Sequence, residues 1–172
     1  MKFPIASKIE ACTARDSGRY AMHGVSLQEH GGKRVLAATD GRCLAVVPVE
    51  DAEADTLGAI IPREAFAEAR KLDKRKPEGA ELHVNGTVTA SNGATWAKVE
   101  GEFPRWSAVL PGLERVPKAV IAFNPDYLRA LADALAGGAE VRHLKLYIYE
   151  PHEPIRVEGP LGYGALMPIT LD

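Results

Sequence analysis

A plan that occurs twice along this chain constrains its fold more than any single motif. Ala59 to Ile61 reads as a short buried strand, and a helix is expected from Pro62 to about Leu72. Ala65, Phe66, Ala69 and Leu72 fall on one face of that helix, with Arg63, Glu64, Glu68, Arg70 and Lys71 on the others. Proline suits the first turn, where its missing N–H leaves no hydrogen bond unmade. Three strands are expected next, Glu81 to Asn85, Thr87 to Ser91 and Thr95 to Glu100, with turns at Gly86 and at Asn92 and Gly93. From Ala119 the plan returns. Val120 to Phe123 is a strand, Asn124 a good N-cap and Pro125 the first helical residue. Tyr127, Leu128, Leu131 and Leu135 make an apolar helical face that stops at Gly137 and Gly138. Leu144, Leu146 and Ile148 alternate with Lys145, Tyr147 and Tyr149 as a strand, and Ile155 to Glu158 and Tyr163 to Ile169 complete the set. The period is roughly 60 residues, which marks an internal repeat.

The stretch before Glu50 resembles a third copy without its helix. Lys8 to Thr13, Tyr20 to Gln28, Lys33 to Ala38 and Cys43 to Val49 read as strands, and no helix is expected before Ile60. Gly31 and Gly32 form one turn and Thr39-Asp40-Gly41-Arg42 another. Gly41 after Asp40 is a hairpin signal, because glycine tolerates the positive φ that tight hairpin turns need. Asp51 to Gly58 is an acidic connector, and Arg70 to Lys76 is a basic cluster ended by Pro77 and Gly79. A few helices among many antiparallel strands make the expected class α+β.

Composition narrows the function. With 46% apolar residues among 172, the chain can bury a real core, and disorder throughout is excluded. A formal net charge of −2 argues against a charge-driven nucleic-acid coat, though not against a local DNA-facing patch. The two cysteines, Cys12 and Cys43, form no CxxC, so a disulfide framework or zinc site is not expected and reduced thiols in a cytoplasmic protein are. No secretory h-region stands near the first residue, and no apolar run is long enough to span a bilayer. The histidines (His23, His30, His83, His143 and His152) lack metal-ligand spacing. There is no Walker A, GxSxG or HExxH pattern, so no enzyme, metal or cofactor is expected.

Several strings, taken in order, resemble the bacterial DNA polymerase III beta sliding clamp family. Arg19-Tyr20-Ala21-Met22-His23-Gly24 is similar to that family's strand entering its middle domain. Ala38-Thr39-Asp40-Gly41-Arg42-Cys43-Leu44-Ala45 resembles its ATDGHRLA segment. Ile60-Ile61-Pro62-Arg63 resembles the start of its inner helix. Glu100-Gly101-Glu102-Phe103-Pro104 and Val109-Leu110-Pro111 resemble its EGEFP and VLP stretch. Phe123-Asn124-Pro125-Asp126-Tyr127-Leu128 resembles FNxxYL, and Ala165-Leu166-Met167-Pro168-Ile169-Thr170-Leu171 its C-terminal MPMRL. Two departures stand out. The arginine of GHRL lies one place earlier, at Arg42, and Thr170 replaces the arginine of MPMRL.

The resemblance implies a shortened, non-enzymatic clamp. Residues 1–112 would correspond to the family's middle domain, as two half units of which the first lacks its helix. Residues 113–172 would correspond to the second half of its last domain. In that family two three-domain subunits ring duplex DNA, and a cleft binds QLxLF-like peptides of polymerases and clamp loaders. Motif position then assigns peptide contacts to Arg19, Met22, Thr39, Gly41, Arg42, Leu44, Pro111, Leu166, Met167, Pro168 and Ile169. Methionine and aliphatic anchors with a glycine that admits close approach suit such a groove. Arg63, Arg70, Lys71, Lys74, Arg75 and Lys76 are the DNA-facing candidates, contacting phosphates without reading bases, with Arg129 alone on the second helix. Trp106 and Tyr127 are expected to pack rather than to stack on bases. Self-association is expected, since a half unit leaves a sheet edge uncovered. Two other readings remain open: a peptide-binding accessory or decoy that never encircles DNA, and a scaffold that keeps only the fold.

Overall fold

The computed structural model describes residues 1–15, 20–72, 79–110 and 116–170. The chain divides into two compact units, Met1–Pro111 and Gly112–Asp172.

Unit 1 runs β1 (Lys2–Phe3), β2 (Gly24–His30), β3 (Lys33–Thr39), β4 (Leu44–Pro48), β5 (Ile60–Pro62), α1 (Arg63–Leu72), β6 (Ala80–Val84), β7 (Val88–Ala90) and β8 (Thr95–Trp96). These strands form two antiparallel sheets ordered β4-β3-β2-β5 and β1-β6-β7-β8. The two halves exchange strands. β1 begins the first half but pairs with β6, and β5 begins the second half but pairs with β2. A single core therefore joins them: Phe3, Val25, Leu27, Leu36, Phe66, Leu82 and Val88 all pack in one cluster. Phe3 and Phe66 meet edge to face with ring centres 5.1 Å apart, a geometry that favours aromatic pairs beyond their burial.

β3 shows why its sequence is apolar without alternation. Leu36 and Ala38 face the main core, while Val35 and Ala37 face a second cluster with Ile60, Phe103 and Trp106. A strand covered on both faces has no solvent side to mark with polar residues. Gly24 admits β5 at close range, since a Cβ there would lie 2.5 Å from Ile60 Cγ2 and 2.7 Å from the Ile61 carbonyl oxygen.

Unit 2 runs α2 (Pro125–Ala136), β9 (Lys145–Tyr147), β10 (Ile155–Gly159) and β11 (Gly162–Leu166), with an antiparallel sheet ordered β11-β10-β9. The Asn124 side-chain oxygen accepts the Asp126 N–H at 2.8 Å, the expected cap. Leu135, Ile155, Val157 and Leu166 are its buried core, with Phe123, Leu128, Leu131 and Leu144 packed around them. Gly159 lets α2 lie on β10, because a Cβ there would meet the Leu135 carbonyl oxygen at 2.5 Å. On the other face Glu158 accepts from Tyr147 Oη at 3.0 Å and Arg156 Nε at 2.8 Å. These bonds hold the Glu158 carboxyl below its usual pKa and push the Tyr147 hydroxyl up.

The fold is α+β, as the repeat implied, and several elements differ locally from the sequence expectation. Ile9–Cys12 is a 3-10 turn instead of a strand, because only Ile9 of that segment is buried and no ladder reaches it. Tyr20–His23 is likewise a 3-10 turn, and its strand begins at Gly24. Pro62 closes β5 opposite Gly24, so α1 starts one residue later. β8 stops at Trp96, after which Val99 donates to the Ile60 carbonyl at 2.8 Å. Of the expected Val120 to Phe123 strand, the described ladder contact is one bridge, Ala122 to Ile169. No described helix is long and apolar enough to cross a membrane.

Candidate functional site

The Thr39–Leu44 turn is built by its own side chains. Thr39 Oγ1 accepts the Gly41 N–H at 3.0 Å and donates to the Cys43 carbonyl at 2.6 Å. The Asp40 carboxylate accepts the N–H groups of Arg42 at 2.8 Å and Cys43 at 2.9 Å. Those backbone donors favour the charged form and hold the Asp40 carboxyl down at about 2. Gly41 takes φ of 85°, which a side chain would disfavour. The turn thus presents Arg42 outward and leaves Leu44 half-buried.

This turn forms one wall of a cavity of about 320 Å³. Met22, from the 3-10 turn ahead of β2, supplies a second wall. Pro104, Arg105, Trp106 and Val109 supply the third. Trp106 is fixed beneath it: Nε1 donates to Gln28 Oε1 at 2.8 Å, and its ring lies 4.8 Å from that of His30. At 4% exposure Trp106 packs, as expected of it, while Val109 is 76% exposed at the rim. A shaped, mostly apolar hollow with a hydrogen-bonded turn and two exposed arginines, Arg42 and Arg105, along it suits an aliphatic or aromatic peptide anchor. Cys43 also lines it, and burial of the thiol followed by its contact toward Cys12 pushes its pKa up to about 11. The thiol is thus protonated near neutral pH and adds surface, not nucleophilicity.

Of the residues singled out for peptide contact, the structure brings Met22, Thr39, Gly41, Arg42 and Leu44 together in this cavity. Arg19 and Pro111 lie outside the described residues. In unit 2, Met167 and Ile169 are 59% and 47% exposed, and Pro168 is partly so. Leu166 is 1% exposed and belongs to the core, because strand alternation turns it toward Ile155 while Ala165 faces out. Sequence reasoning missed Pro104, Arg105, Trp106 and Val109 as a wall. The signal was the EGEFP string, whose Phe103 and Trp106 anchor the segment on β3.

The cationic candidates separate. Arg70 is not free to meet phosphate. It is paired with the Glu10 carboxylate by both terminal nitrogens and also donates to the Ser7 carbonyl at 3.0 Å. Arg63 lies 3.4 Å from Glu64 and borders a hollow with Arg15 and His23, which were not singled out. Lys71 is exposed, 3.5 Å from Glu68, and Arg129 lies 3.3 Å from Asp126. Lys74, Arg75 and Lys76 lie outside the described residues. A larger hollow of about 530 Å³ is walled by β1 and the end of β4. None of the candidate side chains lines it.

No protein-family model matches the chain. The beta sliding clamp of Caulobacter vibrioides, in strains NA1000 and CB 15, is 27% identical over 165 residues, covering 89% of this chain and 42% of the relative. The chain thus spans less than half the length of these curated relatives. Among solved structures, the C. crescentus beta sliding clamp is 24% identical with a TM-score of 0.69, over 95% of this chain and 47% of that one. A Bartonella birtlesii sliding clamp bound to griselimycin is 26% identical at 0.67, over 95% and 49%. The Bacillus subtilis clamp is 18% identical at 0.68, over 98% and 48%. The chain is similar in sequence to about half of a bacterial beta sliding clamp and shares the fold of those clamps.

Proposed function

We propose that this half-length relative of the beta sliding clamps binds linear peptides of polymerase or clamp-loader type in the cavity walled by Met22, Thr39, Leu44 and Trp106. The observation that carries this reading is the cavity itself, about 320 Å³, in which five residues assigned by motif position converge. An apolar anchor would bury against Met22 and Leu44, with Gly41 permitting close approach of the peptide backbone and Arg42 meeting its polar groups. Most of the binding energy would come from that anchor. Met167, Pro168 and Ile169 are proposed as further peptide contacts on unit 2. The protein would act as a cytoplasmic binding protein in DNA replication, a processivity factor without catalysis of its own. Residues 1–112 would stand for a clamp middle domain and 113–172 for half of a last domain. As a homo-oligomer it would encircle duplex DNA.

Fluorescence anisotropy of a labelled QLxLF-type peptide tests the cavity. Saturable binding that Leu44→Asp abolishes and Met167→Ala weakens is the expected result. Absence of binding by the wild-type protein would mean that the retained strings are scaffold. A second reading, a peptide-binding module that does not encircle DNA, is favoured by one observation. Arg70 is committed to Glu10, which depletes the cationic set on α1. Peptide binding without salt-dependent DNA association would select it.

A further inference from the structure

One hydrogen-bond signature recurs three times in this chain, and among the described residues of unit 2 half of it is missing. In each half unit the leading strand meets the residue just past the last strand. Lys2 and Glu50 exchange bonds at 2.9 and 3.1 Å, Val99 donates to Ile60 at 2.8 Å, and Ile169 donates to Ala122 at 2.8 Å. In unit 1 the other side of each leading strand joins the opposite half. Lys2 and Phe3 lie across from Glu81 and Ala80, and Ile60 and Ile61 lie across from Ser26 and Val25. In unit 2 the corresponding strand meets no such partner among the described residues, and β9 ends its sheet with its outer edge unpaired.

The side chains record the same vacancy. Ala80, Leu82 and Val84, the inward residues of β6, are 0%, 0% and 8% exposed. Their counterparts beside α2 are Leu144, Leu146 and Ile148, and the latter two are 39% and 50% exposed. Ala65, third residue of α1, is 0% exposed, whereas Tyr127, third residue of α2, is 60% exposed. Unit 1 already satisfies both of its own halves. The surface that offers both an open meander edge and an unpaired leading strand is therefore unit 2 itself, and two such units complement each other about a two-fold axis.

We infer that unit 2 pairs with unit 2 of a second copy of this chain, the strand around Ala122 of each adding to the outer edge of the other's β9. The register follows unit 1. Phe3 opposite Ala80 places Phe123 opposite the partner's Leu144, and Lys2 opposite Glu81 places Ala122 opposite the partner's Lys145. The exposed Leu146, Ile148 and Tyr127 become the centre of the joint core, which also hides an edge otherwise open to indiscriminate pairing. The inference gives the oligomer reading an interface built from unit 2 residues alone, whereas the cavity is walled by residues of unit 1.

Cross-linking tests it in chains carrying Cys12→Ser and Cys43→Ser. One chain adds Ala122→Cys and the other Lys145→Cys, positions directly opposite in the inferred register and within disulfide reach. Mild oxidation of the mixture should give a reducible dimer, and either chain alone should give little. Sedimentation equilibrium should show at least a dimer for the wild type and a shift to a smaller species for Ile148→Lys, with circular dichroism confirming that the variant folds. A monomeric wild type, or a mixture no more cross-linked than the single chains, overturns the inference. Peptide anisotropy on the same samples reads the cavity separately, so the two readings fail independently.

Discussion

Arg70 and Glu10, sixty residues apart, form a two-pronged ion pair in which both side chains are only 16% exposed. The pair ties α1 to the 3-10 turn of Ile9–Cys12, and the Ser7 carbonyl takes a further bond from the same guanidinium. Where a whole helix was expected to be absent, this brace holds a short turn against the sheet instead. Removing one partner leaves the other charge partly buried and unpaired. Arg70→Ala should therefore lower unfolding free energy by about 2 kcal/mol in urea melts, and Arg70→Lys should recover only part, since lysine lacks the planar fork.

The same pair sets an expectation for DNA. Each phosphate contact adds about 0.9 to the slope of log affinity against log salt. If α1 faces DNA, Lys71→Ala and Arg63→Ala should each flatten that slope by about one contact. Arg70→Ala, corrected for folding, should leave it unchanged. Titrations of a labelled duplex at several salt concentrations make the comparison.

The Asp40 turn should be sensitive to acid. Its folded pKa of about 2 lies below the ordinary 3.8, so it binds fewer protons folded than unfolded. Its contribution is present in full above 3.8 and is lost as pH falls toward about 2. Asp40→Ala should therefore destabilise the protein near neutral pH and differ less from wild type as the pH is lowered through that window. Denaturant melts at several pH values read this out, and a difference independent of pH would assign the turn's stability to other bonds.

Gly24 should not accept a side chain. A Cβ there would press into Ile60 and the Ile61 carbonyl at the seam between the exchanged strands. Gly24→Val should cost about 2 kcal/mol or more through overpacking. Gly31→Val, at a turn whose Cβ would meet nothing, tests the alternative cause, since its cost would come from positive φ alone. Thermal melts of both variants separate close packing from backbone strain.

Trp106 should report on the cavity. It lines the cavity together with Pro104 and Val109, and its Nε1 is held by Gln28. Trp106→Phe should cost about 1 kcal/mol for the lost bond and weaken peptide binding severalfold by loosening the wall. Binding should also change tryptophan emission, and an unchanged spectrum at saturating peptide would place the peptide elsewhere.

Much of this protein was legible in one dimension. The recurrence of strand, helix and strands defined α+β halves, because hydrophobic periodicity is set locally by which face each residue presents. Asp40 and Gly41 announced their hairpin, and Asn124 and Pro125 their helix start, since caps and turns depend on neighbours in the chain. The string of Thr39 to Leu44 likewise marked one wall of the cavity. What tertiary structure alone decided was everything set by partners distant in sequence. Arg70 reads as a free cation until Glu10 is found beside it. Leu166 reads as a surface anchor until strand alternation turns it inward. Trp106 becomes a wall only because Gln28 and β3 hold it. The exchange of β1 and β5 between the halves of unit 1 is a matter of pairing between strands. Local propensity carries no term for that pairing, which depends on register and burial across the fold.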